Sequence, residues 1–181
     1  MWRRVMTGLL ALCVTACSGQ AGSGEAGDVL AVHGAIGVVD RGPVDPQLEP
    51  LYAMLGEEFQ TAYGFTLSQL EALQQHSVET DYPAGAGRHI FTGPLVRDVL
   101  AVTSAEGHML VVTALDGYQR EIAMERVLNH DVILALTLDG EPLGFGGFGP
   151  TMLVWPRLAD PQLAGLPDDD WVWGIVSILV E

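Results

Sequence analysis

The residues of this chain that could bind anions are arginines alone. The sequence contains no lysine, and its 8 basic residues face 23 acidic ones, which gives a formal charge of −15. Without lysine the chain can have neither a P-loop lysine nor a lysine that forms a Schiff base with substrate. So acidic a chain is also excluded as an ordinary nucleic-acid binder, because contact with phosphates requires a basic face.

The histidines, serines and clustered carboxylates show no arrangement typical of a metal site or a serine hydrolase. The 5 histidines are scattered and lack the H-x-x-x-H spacing that places two ligands on one helix face. No serine lies in a G-x-S-x-G context. Asp168, Asp169 and Asp170 are adjacent rather than alternating, so we interpret them as a solvated turn and not as a calcium loop. The sequence therefore predicts no metal site.

A glycine-rich segment, residues 144–149, could let the backbone approach a phosphate or a cofactor closely. Gly147 and Gly149 are the candidate cofactor-binding residues of this segment. Its glycines do not follow the G-x-G-x-x-G order between a strand and a helix, which favours a simple loop between two strands. Asp116 and Tyr118 could line a pocket, but Asp-Gly is the usual chemistry of a tight turn, which favours a turn with a packed tyrosine.

The two cysteines both lie near the start of the chain. A basic pair, Arg3 and Arg4, precedes an apolar run over residues 5–16 that is too short to span the ~30 Å hydrocarbon core of a bilayer. Residues 1–16 are therefore predicted to be a signal peptide. Val14-Thr15-Ala16-Cys17 resembles the bacterial lipobox, in which the cysteine is lipidated and becomes the mature N-terminus. The alternative is an ordinary secretory signal that leaves Cys17 free.

Lipidation of Cys17 predicts an exported lipoprotein that is anchored in a membrane and faces the periplasm or the cell exterior. Residues 17–27 are small and polar and are expected to form a flexible tether. The acidic chain would be repelled by anionic headgroups, so attachment would depend on the acyl chains. Residues 28–181 would then form one domain that contains no thiol.

The domain over residues 28–181 reads as a mixture of short strands and short helices. Apolar runs and alternation predict strands at 29–34, 76–80, 108–115, 118–122, 131–138, 152–155 and 171–180. Helical spacing predicts a helix at 51–63 and a second at 67–73, with a threonine or serine of residues 66–68 as its N-cap, and a third helix that opens at Gly93-Pro94. The apolar face of the first consists of Leu51, Met54, Leu55, Phe59 and Ala62. Asp139-Gly140, like Asp116-Gly117, is predicted to be a turn. Residues 82–89 are predicted to be a loop. This pattern predicts an α+β fold.

From about Val29 to the C-terminus, the order of these segments resembles the molybdopterin-binding domain of the sulfite oxidase superfamily, in its small stand-alone bacterial form. The matching stretches are residues 65–73, 91–95, 114–118, 133–135, 139–140 and 149–156. The resemblance implies a mixed, barrel-like β core with short flanking helices. It also implies molybdopterin as the cofactor, although a fold does not carry chemistry by itself.

Enzymes of that superfamily hold molybdenum through the pterin dithiolene and one protein cysteine. The resemblance places that cysteine in the strand over residues 76–80, about where this chain has Ser77. The pterin phosphate implies a cationic partner, for which Arg88, with His89 beside it, is the best-placed candidate. The ordinary interpretation of Arg88 is an exposed, solubilising residue.

The missing thiolate decides between the interpretations of function. A serine hydroxyl is a harder ligand with a far higher pKa, so Ser77 is not a simple replacement for cysteine on molybdenum. The sequence therefore favours a non-catalytic binding or accessory module. The first alternative is a molybdopterin-dependent oxidoreductase that transfers oxygen with Ser77 as the ligand. The second is an interaction subunit for an envelope protein, which would fit the acidic surface.

Overall fold

The computed structural model describes residues 27–83 and 85–181. The predicted signal peptide, Cys17 and nearly all of the tether lie outside this range. The described residues form eleven strands: β1 Asp28–Gly34, β2 Ala62–Thr66, β3 Gln75–Thr80, β4 His89–Pro94, β5 Met109–Ala114, β6 Gln119–Ala123, β7 Ile133–Ala135, β8 Thr137–Leu138, β9 Glu141–Pro142, β10 Met152–Val154 and β11 Ile175–Val180. The α-helices are α1 Pro50–Leu55, α2 Leu67–Ala72, α3 Val96–Val102 and α4 Met124–Asn129.

The strands form three hydrogen-bonded sheets. The largest has the order β2-β1-β11-β5-β6, the second has the order β3-β4-β8-β9, and β10 pairs with β7. β1 and β11 are parallel and all other pairs are antiparallel. The predicted α+β class with a mixed β core and short helices is therefore confirmed.

A large apolar core lies between the sheets and the helices. Strands of all three sheets contribute to it, and its largest fully buried side chains include Trp155, Trp171, Phe65 and Phe91. Burial of this much apolar surface is the main source of stability for a domain that has no thiol to cross-link. No helix within the described part of the chain is long and apolar enough to cross a bilayer.

The predicted helix over residues 51–63 is wrong in its second half. The helix ends at Leu55 because Gly56 adopts a left-handed backbone conformation with φ 73°, and its N–H bonds back to the carbonyl of Ala53. Residues from Ala62 onward form strand β2 instead. Tyr52 is the buried residue of the helix, whereas Met54, which the predicted apolar face included, is 84% exposed. The spacing of apolar residues by three and four positions therefore did not predict which side chains of this helix are buried.

The second predicted helix is confirmed, with the predicted N-cap. Thr66 Oγ1 accepts a hydrogen bond from the backbone N–H of Gln69 at 3.3 Å, and Gln69 Oε1 accepts one from the N–H of Thr66 at 2.7 Å. This reciprocal pair is a capping box, which satisfies two backbone donors that the first turn leaves free. Leu70 is fully buried.

The region around Gly93 differs from the prediction. Residues 89–94 form strand β4, although His89 was predicted to end a loop and Gly93-Pro94 to open a helix, and α3 begins only at Val96. Val96, Val99 and Leu100 of α3 are buried, as expected. Helix α4 was not predicted. Its N-cap residue is Ala123, which has no capping side chain, so the polar N-terminal signal that Thr66 gives for α2 is absent here.

Both Asp-Gly turns were predicted correctly. The turn at Asp116 and Gly117 joins β5 to β6, and the turn at Asp139 and Gly140 joins β8 to β9. Asp139 and Gly140 have φ values of 50° and 87°, the positive pair that a two-residue hairpin of this kind requires. The strand predicted over residues 171–180 is shorter than expected, because β11 begins at Ile175, directly after Gly174 with φ 66°.

The interpretation of Asp168 to Asp170 as a solvated turn is wrong for Asp170. These residues form a short 3-10 helix, and Asp170 is only 1% exposed. Its carboxylate accepts hydrogen bonds from Arg120 Nε at 2.7 Å and from an Arg126 amino group at 2.8 Å, and its carbonyl accepts one from Trp155 Nε1 at 2.8 Å. Charge composition alone did not separate this buried carboxylate from its exposed neighbour, Asp169.

We predict that Asp170→Asn lowers the free energy of unfolding by about 1–3 kcal/mol, because two guanidinium groups lose their charged acceptor. Both arginine side chains remain more than one-third exposed, so water replaces part of the loss. The matched control is Asp169→Asn, which changes an exposed carboxylate and should cost less than about 0.5 kcal/mol. Urea denaturation followed by tryptophan fluorescence measures both. Equal effects of the two variants would contradict the structural role of Asp170.

Candidate functional site

Ser77 and Arg88 line the same cavity. We call it the Ser77 cavity; its volume is about 400 Å³, and its polar lining consists of His76, Ser77, Glu79, Arg88 and Asp131. Two of the five predicted site residues are therefore brought together. His89, Gly147 and Gly149 are not part of its lining.

Ser77 lies on the outer face of β3, where its hydroxyl is already paired. Its Oγ is 2.9 Å from Thr92 Oγ1 on the neighbouring strand β4, and the two residues are direct cross-strand partners. Cross-strand hydroxyl pairs of this kind are a common feature of sheet surfaces. The side chain is exposed, and among residues 27–83 and 85–181 no cationic group lies within hydrogen-bond distance to favour a deprotonated hydroxyl.

The positive charge of the Ser77 cavity is balanced by carboxylates. Arg88 lies 3.2 Å from Glu79, and both side chains are more than half exposed. Asp131 on another part of the wall pairs with Arg97 at 2.8 Å. Exposed pairs of this kind contribute little to stability. They nevertheless leave the cavity without an excess of positive charge for a phosphate.

His89 is engaged outside the cavity, with the aspartate of a hairpin turn. Its Nδ1 lies 2.7 Å from Asp139 Oδ2, while the backbone N–H of Ile90 donates to Asp139 Oδ1 at 2.9 Å. The hydrogen bond with Asp139 raises the pKa of His89. The N–H of Ile90, followed by His89, lowers the pKa of Asp139. Any charge on His89 is thus held by a carboxylate and not presented to an anion.

The glycine loop is held by its own backbone. The N–H groups of Gly147 and Gly149 both donate to the carbonyl of Gly144, at 3.1 Å and 3.2 Å. A Cβ at Gly149 would lie 2.3 Å from the carbonyl oxygen of Leu143, so only glycine fits there. A Cβ at Gly147 would meet nothing closer than 3.5 Å. The close approach to Leu143 is thus sufficient to explain a glycine at position 149. The cofactor-binding role of Gly147 and Gly149 stays a prediction.

The donor set of the described residues does not fit the molybdenum cofactor that the resemblance implies. Cys13 and Cys17 lie outside the described residues, so the domain offers no thiolate. Each of its six arginines lies within ion-pair distance of at least one carboxylate. A pterin phosphate would therefore have to displace an existing ion pair to gain a cationic partner.

A second cavity has a different chemistry, and its lining includes Asp116 and Tyr118, for which a pocket was the less favoured interpretation of the sequence. We call it the aromatic cavity; its volume is about 260 Å³, and it is lined by four aromatic residues, Tyr82, Tyr118, Trp171 and Trp173, and by three carboxylates, Asp116, Asp168 and Asp169. Asp116 makes the expected turn, because its Oδ1 accepts from the N–H of Tyr118 at 2.9 Å. The expectation that Tyr118 packs in the core is wrong, since this side chain is 44% exposed.

Tyr82 and Trp171 form the inner wall of the aromatic cavity. Their rings stack with centroids 4.8 Å apart and an interplanar angle of 5°. Burial, and secondly the charge of Asp168, raise the pKa of Tyr82, so its hydroxyl stays protonated at neutral pH. The sequence signals for this site were Asp116 and Tyr118, for which a turn and packing were favoured over a pocket, and the run Asp168 to Asp170, which we interpreted as a solvated turn.

A polar cluster elsewhere is buried, with at most 8% of any member exposed. Ser177 donates to Glu57 at 2.7 Å, and His33 lies 3.1 Å from the same carboxylate. Burial alone would raise the pKa of Glu57, but hydrogen bonds from His33, Ser177 and Thr113 outweigh burial and lower it. Ser177 is fully buried and bonded to a carboxylate, so it is not a nucleophile. The cluster instead joins β1, β11 and the segment after α1. Within residues 27–83 and 85–181, no three His, Cys, Asp or Glu residues are grouped as metal ligands would be.

Comparison with known proteins gives two findings. A model of the oxidoreductase molybdopterin binding domain matches residues 53–159. The fold is similar to the crystal structure of the sulfane dehydrogenase SoxCD from Paracoccus pantotrophus, with a TM-score of 0.58 and 18% sequence identity, over 83% of this chain and 37% of that chain. At this identity the likeness concerns the fold alone, and this chain spans little more than one-third of that protein's length. Among curated proteins, none matches this chain.

Proposed function

Because this chain belongs to the oxidoreductase molybdopterin binding domain family, we propose that it uses the family's fold for binding and not for oxygen transfer. Fold and function are separable, since the chemistry of a family lies in particular side chains carried on the fold. In this chain those side chains have changed. The protein is a binding or accessory module, held at the cell envelope by a lipid on Cys17.

The observation that carries this proposal is the absence of a thiolate and of an unpaired cation from the described domain. Where the resemblance expects a soft, ionised sulfur, Ser77 offers a neutral hydroxyl paired with Thr92. Where a phosphate needs a cation, Arg88 is paired with Glu79. Family-type catalysis would need both, so their joint loss supports a module that binds without turnover.

One observation favours the alternative of an oxidoreductase. Ser77 and Arg88 line one cavity of about 400 Å³, which is large enough for a small-molecule ligand. If Ser77 were a molybdenum ligand and Arg88 an anion contact, both would be in reach of the same group. Under that alternative, Ser77→Ala abolishes activity without unfolding the domain.

We predict that the full chain, purified from a host that makes molybdenum cofactor, oxidises neither sulfite nor thiosulfate with ferricyanide as electron acceptor. Ser77→Cys, which returns a thiol to the predicted position, should also show no turnover, because the cationic contacts remain occupied. Thr92→Cys is the matched control, since it places a thiol on the partner position of the neighbouring strand. Turnover by the unaltered chain that Ser77→Ala removes would contradict the proposal and establish the alternative.

The membrane anchor is supported by the sequence pattern over residues 2–17, with its basic pair, apolar run and terminal cysteine. The acidic composition supports attachment by lipid and not by charge, because a formal charge of −15 is repelled by anionic headgroups. The lipid would hold the domain near an envelope partner whose identity the chain does not encode. Anionic nucleic acid is excluded as a partner on the same electrostatic ground.

We predict that Cys17 incorporates lipid when the full chain is expressed in a bacterial host fed an alkyne-tagged fatty acid. Cys17→Ser should abolish the label, whereas Cys13→Ser, four residues earlier in the same segment, should retain it. Gel fluorescence of the membrane fraction measures both variants. Labelling of Cys17→Ser, or none in the unaltered chain, would contradict the lipoprotein assignment.

A further inference from the structure

The aromatic cavity is not used by the predicted cofactor site, and its lining has a consistent chemistry. Its walls are Tyr82, Tyr118, Trp171 and Trp173, and three carboxylates line the same space. No arginine and no histidine belongs to the lining. Such a cavity repels an anion and attracts a cation with an apolar surface.

We propose that the aromatic cavity binds a small organic ammonium ion that also carries an oxygen atom able to accept a hydrogen bond. This inference deepens the proposed function, and rests on it, because it names the class of ligand that the binding module takes. Three features of the cavity support it: its charge, its aromatic surface, and one buried donor without an acceptor.

The charge at the cavity is negative after ion pairs are taken into account. Asp168 is matched by Arg157, whose guanidinium lies 2.7 Å from its carboxylate. Asp116 and Asp169 form no ion pair with any arginine in the described part of the chain. Two carboxylates therefore remain to attract a cation, in a chain whose overall charge of −15 strengthens the same field.

The aromatic surface suits an ammonium ion with alkyl substituents. Tyrosine and tryptophan faces attract such cations through the ring quadrupole, and rings grouped around a space are the usual way proteins bind quaternary ammonium ions. Tyr118 and Trp173 are 44% and 38% exposed, so their rings are accessible from solvent. Tyr118 is held in place because its hydroxyl donates to the carbonyl of Asp169 at 3.1 Å. Tyr118 is thus positioned before any ligand arrives. The ring of Trp171 is already covered by Tyr82 and by the guanidinium of Arg157, 5.0 Å from its centre, so Tyr118 and Trp173 supply the accessible aromatic surface.

The third feature of the cavity is the indole N–H of Trp171. This residue lines the cavity and is 2% exposed, yet its Nε1 is buried without a hydrogen-bond acceptor in the described part of the chain. A buried donor without an acceptor is costly, and proteins rarely leave one. The indole of Trp155, by comparison, donates to the carbonyl of Asp170. A ligand oxygen would supply the acceptor that Trp171 lacks.

The size of the cavity limits the ligand. At about 260 Å³ it lies near the lower end of small-molecule sites and suits an amino alcohol better than a pterin. Choline has both features that the cavity requires, a quaternary ammonium and a hydroxyl. Its neutral isostere, 3,3-dimethyl-1-butanol, has the same shape and hydroxyl with carbon in place of the charged nitrogen.

The test is a titration of the full chain with choline, with 3,3-dimethyl-1-butanol and with tetramethylammonium, followed by tryptophan fluorescence and calorimetry. We expect choline to bind at least roughly tenfold more tightly than the neutral isostere, because only choline makes the charge and cation–π contacts. Tetramethylammonium should bind more weakly than choline, because it offers no acceptor to Trp171.

Variants of the cavity show whether binding occurs there. Asp116→Asn keeps the side-chain oxygen that makes the turn and removes only the charge; we expect an affinity loss of about threefold to tenfold. Trp173→Leu removes one aromatic wall and should reduce affinity by roughly tenfold. The matched control is Glu141→Gln, which removes one negative charge from an exposed residue of β9, outside the cavity lining, and should leave affinity unchanged.

Three results would overturn the cation site: no saturable choline binding, equal affinity for choline and its neutral isostere, or equal effects of Asp116→Asn and Glu141→Gln. Any of these in a chain without oxidoreductase turnover would leave the non-catalytic module standing and remove only this ligand. Turnover on sulfite or thiosulfate would contradict the proposed function whatever choline does. The two failures are therefore distinguishable.

Discussion

The positive charge of the described domain is carried by six arginines, and each guanidinium lies within ion-pair distance of a carboxylate. Asp170 shows how strongly these pairs are built into the structure, because its buried carboxylate receives both Arg120 and Arg126. Arg157 likewise joins Asp81 to Asp168, and its guanidinium lies 5.0 Å from the ring centre of Trp171. Arg120, Arg126 and Arg157 are thus engaged within the fold, whereas Arg88 forms only an exposed pair with Glu79. The chain has no lysine that could add a further cation.

This scarcity of cations connects the fold to the proposed function. Buried and bridging pairs are costly to break, since the carboxylate left behind loses its partner in a poorly solvated place. A ligand phosphate at such an arginine would have to offset that loss. The charges that line the Ser77 cavity are consequently balanced, whereas the charge that lines the aromatic cavity is negative. Membership of the oxidoreductase molybdopterin binding domain family is thus combined with carboxylates that pair with the arginine of one cavity and line the other.

The sequence predicted those features that depend on local chemistry. The capping box at Thr66 and the turns at Asp116 and Asp139 were recognisable because a few neighbouring residues determine them. The order of the predicted strands and helices was sufficient to predict the fold class. The helix over residues 51–63 failed because its end is set by the backbone conformation of Gly56, which apolar spacing does not report.

The site was less predictable, because it is made by residues distant in sequence. Ser77 and Arg88 were expected together and share a cavity, although their function stays a prediction. Burial of Asp170 depends on Arg120 and Arg126, which lie 50 and 44 residues away. The aromatic cavity joins Tyr82, Tyr118 and Trp171 from three separate segments. Composition and residue spacing do not predict contacts between residues that are distant in sequence. Such contacts are visible only once the path of the backbone is known.

The central claim is that this family member does not carry the family's cofactor. The most direct test is the molybdenum and pterin content per chain of the full protein, expressed in a host that makes the cofactor and purified from its membranes in detergent. The account predicts far less than one molybdenum atom per folded chain and no stoichiometric pterin. One molybdenum and one pterin per chain would contradict it.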